Sequence, residues 1–580
     1  MVKVDYLAPG VYVEEVKQGS RPLQGVATAV GGFVGFTEDI RGGAELFKPT
    51  VVTSWNDYLQ KFARVRSDGF TDFGAYLPFS VYGWFLNGGG RCWVTSIGTQ
   101  LPGSKSDATE NQIATDIVSR GNRPSMRFSW KENALSESNS DGRPGEVHRA
   151  EELASPLKIR ITDSFPKLDP DAEPGAEIKD TGEYFSVQVI RGIEVLEEFN
   201  HLTMKAEPEV KVADYAVTAL GASEYLQVED TSVTGGALIK RPTNGEYEIS
   251  SPALVPQEDN FAEQIKGVRD ERTGVRGLFE IDEVTAIACP DLMKAYEVGL
   301  IDLEQVHGVM DLMIGICEGA ASGDIPNPPN RMVLLDSPPD KVKPHEVTRW
   351  LSDEFNRRSQ FAAMYYPWVM ARNPRNSGRP IAIPPSGHMM GVWARTDQIR
   401  GIHKAPANEV PKGVVGLAYD CNFREQELLN PVGINCIRRF PNRGIRVWGA
   451  RTLADPTDLA WRYINVRRLV SYVEKSIELG TQWVVFEPND KDLWERVKRV
   501  ISNFLTDMWR SGALSGTTPD QAFYVRCDEQ LNPPESVMAG RLFVEVGVAP
   551  VRPAEFVVFR VSQWNGSEEE EGAAAQLAGM

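Results

Sequence analysis

The sequence predicts a multidomain α/β (α+β) protein: an α/β layer, a β-rich insert, a C-terminal domain with its own helices and strands, and a strand arm near each end. Three observations predict it. Short apolar runs end in polar loops and alternate with helix-like stretches, the pattern of a sheet buried on both faces. Charge is unevenly spread: residues 101–260 hold 29 acids and 16 bases, whereas 391–510 hold 14 acids and 19 bases. The chain has 580 residues, beyond the roughly 250–300 that one hydrophobic core organises. The expected division is 1–25 arm and linker, 26–98 plus 262–390 α/β domain, 99–261 acidic insert, 391–562 C-terminal domain including an arm at 549–562, and 563–580 disordered acidic tail.

In chain order, Gly10-Val-Tyr-Val-Glu-Glu-Val16 alternates as a strand and is followed by a Gly-containing connector, 17–25. Val26–Phe36 is apolar and Gly-rich, and Trp55–Phe62 reads as a short helix. The acidic stretch is rich in Ser, Gly, Pro and Asp, which mark loops. Leu157–Ile161 and Tyr184–Ile190 alternate within it as strands. Val284–Pro290, Arg331–Asp336 and Phe361–Tyr366 are apolar runs of a buried sheet, with a helix-like stretch at 341–357. Further on, Trp461–Leu479 and Leu493–Leu514 repeat apolar residues at spacings of three and four, so both read as helices. Trp483–Phe486 between them reads as a strand. Ala522–Cys527 and Arg541–Val548 read as paired strands, and Glu555–Ser562 as a final strand beyond a Pro-containing connector.

Composition narrows the function. A net charge of −18 argues against nucleic-acid binding, which needs a cationic face to release phosphate counterions. No stretch approaches the ~18 apolar residues of a membrane span, and the first thirty residues lack the apolar core of a secretory signal. Cys92, Cys289, Cys317, Cys421, Cys436 and Cys527 form no C-x-x-C pair and read as reduced, packed thiols.

The two outermost strands have no obvious local partner, and backbone groups in a dry site must be paired. Either both strands finish a sheet within this chain, or they complete a sheet on a neighbour by strand addition.

The opening Tyr6-Leu-Ala-Pro-Gly-Val-Tyr-Val-Glu-Glu15, then Gly25-Val-Ala-Thr-Ala29 and Gly32-Phe-Val-Gly35, resembles the start of contractile phage tail sheath proteins. So do Pro384-Pro-Ser-Gly387, Ala394-Arg-Thr-Asp397, Lys404-Ala-Pro-Ala-Asn408, Leu429-Asn-Pro-Val-Gly-Ile-Asn435 and Trp448-Gly-Ala-Arg-Thr-Leu453. Trp461-Arg-Tyr-Ile-Asn-Val-Arg-Arg468, Phe486-Glu-Pro-Asn489 and Pro553-Ala-Glu-Phe556 continue the series. Together they cover most of 380–562, with 1–98 and, more weakly, 262–380. The stretch 99–261 matches nothing recognisable; inserts there are variable outer domains in this family. The resemblance implies a structural subunit that stacks as hexameric rings around an inner tube and contracts to drive the tube through a target envelope. Implied partners are other copies, the tube protein, and baseplate and tail-terminator or cap proteins. The implied location is the bacterial cytoplasm during assembly, then a phage tail or phage-tail-like particle. On that resemblance Val11, Tyr12, Val13, Val16, Phe556, Val558, Phe559 and Val561 are expected in intersubunit arms. Phe523, Val525, Leu542, Val544 and Val546 are expected in the strands that accept them. Arg496, Lys498, Arg499 and Arg510 have two readings, a tube-facing patch or a solvated helix face.

An enzyme would need a site. No P-loop, H-E-x-x-H or close histidine pair occurs, so no catalytic residue, cofactor or metal is expected. Gly31–Gly35 lacks the dinucleotide fingerprint and reads as a tightly packed strand. Ser386, His388, His403 and Asp336 are the residue types of a hydrolase triad, but Ser386 is not in a G-x-S-x-G elbow; Asp336 is expected to cap the end of a strand. Arg462, Arg467 and Arg468 are expected to form an intersubunit or tube-facing patch. The alternatives to a sheath are another multimeric surface or binding protein that uses strand addition, and an α/β hydrolase.

Overall fold

The computed structural model describes residues 23, 25–63, 74–99, 101, 114–120, 123–130, 157–166, 181–191, 194–205, 214–232, 235–249, 261–319, 330–373 and 379–558. The first three strands are β1 (Gly31–Gly35), β2 (Thr50–Val52) and β3 (Cys92–Ser96), with helices α1 (Trp55–Phe62) and α2 (Leu77–Leu86) between the last two. After the insert come β11 (Ala286–Ala288), α3 (Asp291–Glu297), α4 (Leu303–Cys317), β12 (Met332–Leu335) and β13 (Ala362–Tyr366). A small sheet of β14 (Val369–Ala371), β15 (Ile381–Ile383) and β16 (Val414–Leu417) is interleaved with α5 (Ser386–Arg400). Then follow α6 (Phe423–Leu429), β17 (Ile434–Phe440) and β18 (Gly444–Val447).

Eight of these strands form one sheet in the order β2-β3-β1-β11-β12-β13-β17-β18. The six central strands run parallel, and an antiparallel strand closes each edge. Every residue of β1, β11, β12 and β13 is buried, because helices cover both faces; that is why these strands read as unbroken apolar runs. Since β17 and β18 belong to this sheet and α5 spans Ser386–Arg400, the α/β unit continues across the division expected at 390. Its apolar core reaches Ile464. Charge balance marks solvated surface, and parallel pairing ignored that signal.

Two buried carboxylates organise the sheet's ends. Asp291 accepts hydrogen bonds from the backbone nitrogens of Phe36 (2.7 Å), Tyr76 (2.6 Å) and Leu77 (3.2 Å), tying the end of β1 to the start of α2. A Cβ on Gly35 would stand 2.5 Å from Asp291 Oδ2, so the last glycine of the Gly31–Gly35 run is needed for this approach. Asp336, just after β12, accepts from Ser386 N (3.1 Å) and Ser386 Oγ (2.6 Å) at the start of α5. It therefore caps a helix rather than the strand end expected. Four residues apart on α5, Gly387 and Gly391 face α2: a Cβ on the first would lie 2.5 Å from Ser80 Cα, and on the second 2.8 Å from Trp84 O.

The insert carries its own core. Its strands are β4 (Ala114–Val118), β5 (Pro124–Trp130), β6 (Leu157–Asp163), β7 (Tyr184–Arg191), β8 (Glu194–Thr203), β9 (Leu226–Asp230) and β10 (Gly245–Glu248). They form sheets ordered β4-β5-β9 and β10-β6-β7-β8. Leu157, Ile159 and Ile161 point inward while Lys158 and Arg160 point out, the period-two signature read from sequence. They pack with Ile117, Phe128, Phe185, Val187 and Leu202 in a cluster separate from that of the main sheet. Arg241, fully buried, is held by Asp163 (2.6 Å), Asn244 Oδ1 (2.7 Å) and the Gly182 carbonyl (2.8 Å).

Burial pushes the carboxyls of Asp291 and Asp336 up to about 7, against the lowering by their hydrogen-bond donors. Each binds its proton more tightly in the fold than in the unfolded chain, whose carboxyl titrates near 3.8. Their contribution to stability is therefore full below about pH 3.8 and is lost as pH rises through about 7, by up to about 4 kcal/mol per group. Asp336→Asn preserves an acceptor for Ser386 N and places a donor beside Ser386 Oγ. The variant should gain on the parent as pH rises from 4 to 7.5, measured by urea midpoints; an unchanged difference across that range would mean that Asp336 does not titrate there.

Candidate functional site

Beyond Ile464 the chain builds a second, smaller unit. Helix α7 (Ile464–Gly480) and helix α8 (Lys491–Arg510) bury Leu469, Val473, Leu493, Val497, Ile501 and Leu505 against each other. The spacing of three and four on α8 sets this face, and Asp490 caps its start by accepting from Leu493 N (2.9 Å). Trp483–Phe486 is not the strand expected. Gln482–Val484 is a 3-10 turn, and Phe486 is fully exposed with a φ of 67°. It lies in a helix–helix connection closed by local bonds such as Val484 N to Thr481 O, and among the described residues no strand pairs with it.

On α8 lies a hairpin of β19 (Phe523–Arg526) and β20 (Glu545–Val548), paired antiparallel with Val525 opposite Val546. Phe523, Val525, Leu542, Val544 and Val546 all pack onto the core of this unit. Leu542 and Val544 precede β20 rather than belonging to it. There the Asn532 side chain stands in for a strand: its Nδ2 donates to Phe543 O (2.9 Å) and its Oδ1 accepts from Phe543 N (2.7 Å). On the outer face Tyr524 lies over Gly547, where a Cβ would come within 2.1 Å of the ring, and its hydroxyl donates to Glu545 (2.9 Å). Among the described residues the sheet has two strands only, so each strand keeps an edge without a strand partner, a template for a further strand.

Past β20 the chain crosses to residues 513–515, bonding Ser515 N to Ala549 O and Val551 N to Ala513 O. It is then clamped at Glu555. This carboxylate accepts from Arg451 Nε (2.9 Å) and Nη2 (2.7 Å), Asn430 Nδ2 (2.8 Å) and the Tyr463 hydroxyl (3.0 Å). Burial opposes the charge, but these donors hold Glu555 below the usual carboxylate range. Arg451 is fixed in turn: its Nη1 donates to Asn430 O (2.9 Å) and its backbone N to the fully buried Asn435 Oδ1 (2.6 Å). Asn435 Nδ2 continues to Met364 O on β13 (3.0 Å). Four motifs quoted above, those with Asn430 and Asn435, Arg451, Tyr463 and Glu555, thus meet at one point. Immediately after it Phe556, Val557 and Val558 are 73%, 65% and 79% exposed, and among the described residues they pair with no strand. Val11, Tyr12, Val13, Val16, Phe559 and Val561 lie outside the described residues.

The exposed face of α8 carries Asp492, Glu495, Arg496, Arg499, Asp507 and Arg510. It is mixed in sign rather than cationic. Arg496 pairs with Glu487 (3.1 Å) and lies 5.4 Å from the Trp483 ring centroid; Lys498 pairs with Glu495 (2.5 Å) and Arg510 with Asp507 (3.6 Å). Among the described residues Arg499 forms no ion pair.

The remaining candidates are structural. Ser386 donates directly to Asp336, so no histidine stands between them as a triad requires. His388 is buried beside Gly83, and burial lowers its imidazole to about 4, leaving it neutral. His403 lines a different cavity, near the C-terminal segment. Arg467 and Arg468 are not a surface patch. Arg468 forms a buried pair with Asp397 (Nη1–Oδ1 2.9 Å) and also donates to Thr28 O. Arg467 lies between the rings of Phe361 (4.8 Å) and Trp461 (4.5 Å) and pairs with Glu474. Sequence spacing counted their charge; the fold spends it on two internal ion pairs. All six cysteines are free and buried. No cluster among the described residues has the three or more ligands a metal needs, and no described helix is long and apolar enough to cross a membrane.

Residues 330–453 match the phage tail sheath protein central domain, and 457–563 match the phage tail sheath C-terminal domain. The chain is 29% identical over 190 residues to a putative prophage major tail sheath protein of Pseudomonas aeruginosa, covering 31% of this chain and 47% of that one. It is 29% identical over 188 residues to the tail sheath protein of Vibrio phage KVP40, covering 32% and 26%. The chain thus spans less than half the length of these curated relatives. The fold as a whole resembles a chain in the anti-feeding prophage baseplate, at 23% identity with a TM-score of 0.51, covering 96% and 99% of the two chains. A sheath complex of an extracellular contractile injection system in its contracted state is similar at 21% identity, with a TM-score of 0.51 and 97% and 99% covered.

Glu555→Gln removes the charge that holds Arg451 and should loosen the C-terminal segment locally, by about 1–3 kcal/mol. The expected readout is accelerated hydrogen exchange of 551–558, with that of β13 unchanged. Equal protection of 551–558 in parent and variant would show that the clamp does not hold the segment.

Proposed function

The chain belongs to the contractile phage tail sheath family, and on that premise we propose that it is the structural subunit of a contractile sheath. Subunits stack as hexameric rings around an inner tube and contract to drive it through a target envelope. The observation that carries the proposal is an exposed apolar segment just past the Glu555 clamp together with a hairpin whose edges lack strand partners among the described residues. In this reading Phe556–Val561 and Val11–Val16 leave their own subunit and add strands to the hairpin of a neighbour. Each ladder hydrogen bond contributes about 0.5–1.5 kcal/mol, and each buried Phe or Val about 1.5–3 kcal/mol. A few such terms make a joint that survives contraction while the connectors between clamp and joint change direction.

The inner tube is bound through the exposed face of α8, with Arg499, which forms no ion pair among the described residues, as the principal cation and Arg496, Lys498 and Arg510 beside it. Exposed pairs of this kind are worth ~0–1 kcal/mol and are screened by salt, as suits a sheath that must slide off its tube. Baseplate and cap proteins bound the polymer at its ends, and assembly takes place in the bacterial cytoplasm. The subunit performs no chemistry of its own: Ser386 and Asp336, the one serine–carboxylate pair among its candidates, are consumed in capping α5.

A chain ending at Glu555 keeps the clamp and loses the exposed segment. It should remain folded by circular dichroism yet fail to form sheaths by sedimentation and negative-stain microscopy, as should a chain lacking residues 1–19. Long sheaths from either truncation would refute strand exchange as the link. Charge reversal of Arg496 and Arg499 to Glu should cut co-assembly with the tube protein, most strongly at low salt. Co-assembly unaffected at every salt concentration would assign these residues to a solvated face.

A further inference from the structure

The segment Val551–Val557 forms one wall of a cavity of about 960 Å³. Trp448, Ala405 and Ala450 give it an apolar lining, and Arg400, Lys404 and Arg552 bring three cations to it. Among the described residues none of these three forms an ion pair. The acids on the lining are Glu427 and Glu555, and Glu555 is already neutralised by Arg451. Glu409 acts on Lys404 from outside the cavity but is engaged by Arg395 (3.7 Å). The basic surface extends outward through Asn408, a lining residue: Arg443 donates to its side-chain oxygen (2.9 Å) and Arg446 to its carbonyl (2.9 Å). Burial and, to a lesser degree, the neighbouring Arg400 lower the Lys404 ammonium below its ordinary range against the raising by Glu409, and its Nζ donates to the carbonyls of Ala405 (2.6 Å) and Ala407 (3.2 Å).

The chain carries a matching countercharge. Glu568–Glu571 is a run of four carboxylates, ten residues beyond Val558. Fully extended, those ten residues reach about 33 Å, and the tether starts at the cavity itself, because Val557 lines it. A tether of this length holds the run near the groove at an effective concentration on the order of millimolar.

We propose that Glu568–Glu571 docks in this groove on its own subunit, against Arg400, Lys404 and Arg552. The contact needs no second subunit and does not depend on the sheath reading. Docking folds the chain beyond Val558 back across Phe556–Val558, so it competes with any partner that takes those residues, and salt relieves the competition.

The test uses the full-length chain at a concentration where it is monomeric and a zero-length carbodiimide, which joins a carboxylate to an amine. Lys404 is the amine that lines the groove. A 1:1 mixture of nitrogen-15-labelled and unlabelled chains separates links within a chain from links between chains. The expected result is a peptide linking Glu568–Glu571 to Lys404, pairing only labels of one kind. Its yield should exceed that at the exposed amines Lys48 and Lys491 and should fall about five-fold or more between 20 and 500 mM salt. The link should vanish in Lys404→Arg and in the variant with Glu568–Glu571 all changed to Gln. It should weaken in the Arg400→Glu, Arg552→Glu double variant, whose melting temperature serves as the folding check. As a second readout, a labelled tetraglutamate peptide should bind a chain ending at Asn565 more tightly than the full chain, by fluorescence anisotropy at low salt. Yields at Lys404 no higher than at Lys48 and Lys491, a predominance of mixed labels, or equal peptide binding to both chains would each overturn the proposal.

Discussion

The ion pair between Arg451 and Glu555 fixes where the chain beyond the hairpin leaves the body of the molecule. It joins two parts of the chain 104 residues apart, one rooted in the main sheet and the other at the point where the chain leaves the body. Exposed salt bridges contribute little, but here side-chain exposures of 10% and 20% remove most of the water that would screen the charge. Both partners make further hydrogen bonds, Arg451 to the Asn430 carbonyl and Glu555 from Asn430 and Tyr463. A half-buried charge pair held this way sets direction more than it adds stability. The exposed residues that follow start from a defined place beside the hairpin instead of wandering from the end of β20.

That placement matters only because the sheet behind it is rigid. Six parallel strands buried on both faces leave little freedom, and Asn435 transmits their position to Arg451 through Met364 O and the Arg451 backbone. Gly387 and Gly391 let α5 approach α2 at a distance a Cβ would forbid, while Asp336 and Asp291 fasten helix starts to strand ends. Buried carboxylates are costly when charged. Here burial favours the protonated form against the pull of their hydrogen-bond donors, so they supply orientation and cost the fold stability as pH rises.

Rigid and released parts therefore divide along the chain. The hairpin, α7 and α8 share one apolar core with Leu23 of the N-terminal connector, so both connectors enter and leave through the same unit. The insert shares none of this. Its apolar cluster is separate, and the hydrogen bond from Gly42 N to Glu248 (3.0 Å) is an exposed contact between it and the main body. A module built this way adds surface without entering the apolar core of the main body.

Local periodicity sufficed for much of this. Trp55–Phe62, the alternating strands of the insert, the apolar runs of the parallel sheet, the two long helices and the β19–β20 pair were all legible, because each buries a face whose spacing is written in a few consecutive residues. Trp483–Phe486 misled, since apolar residues at a helix–helix turn look like a strand until the absence of a partner is known. The motifs containing Asn430, Asn435, Arg451, Tyr463 and Glu555 were visible as words but not as a site. Their meeting depends on contacts of up to 125 residues' separation, and no local pattern encodes which arginine finds which carboxylate. The same holds for Arg468, which reads as surface charge along the chain and proves to be the buried partner of Asp397. Sequence by itself determined the elements and the family resemblance. Tertiary structure alone decided which charges are spent inside the fold and which remain for a partner, because a charge's role is set by its neighbours in space and by the water they exclude.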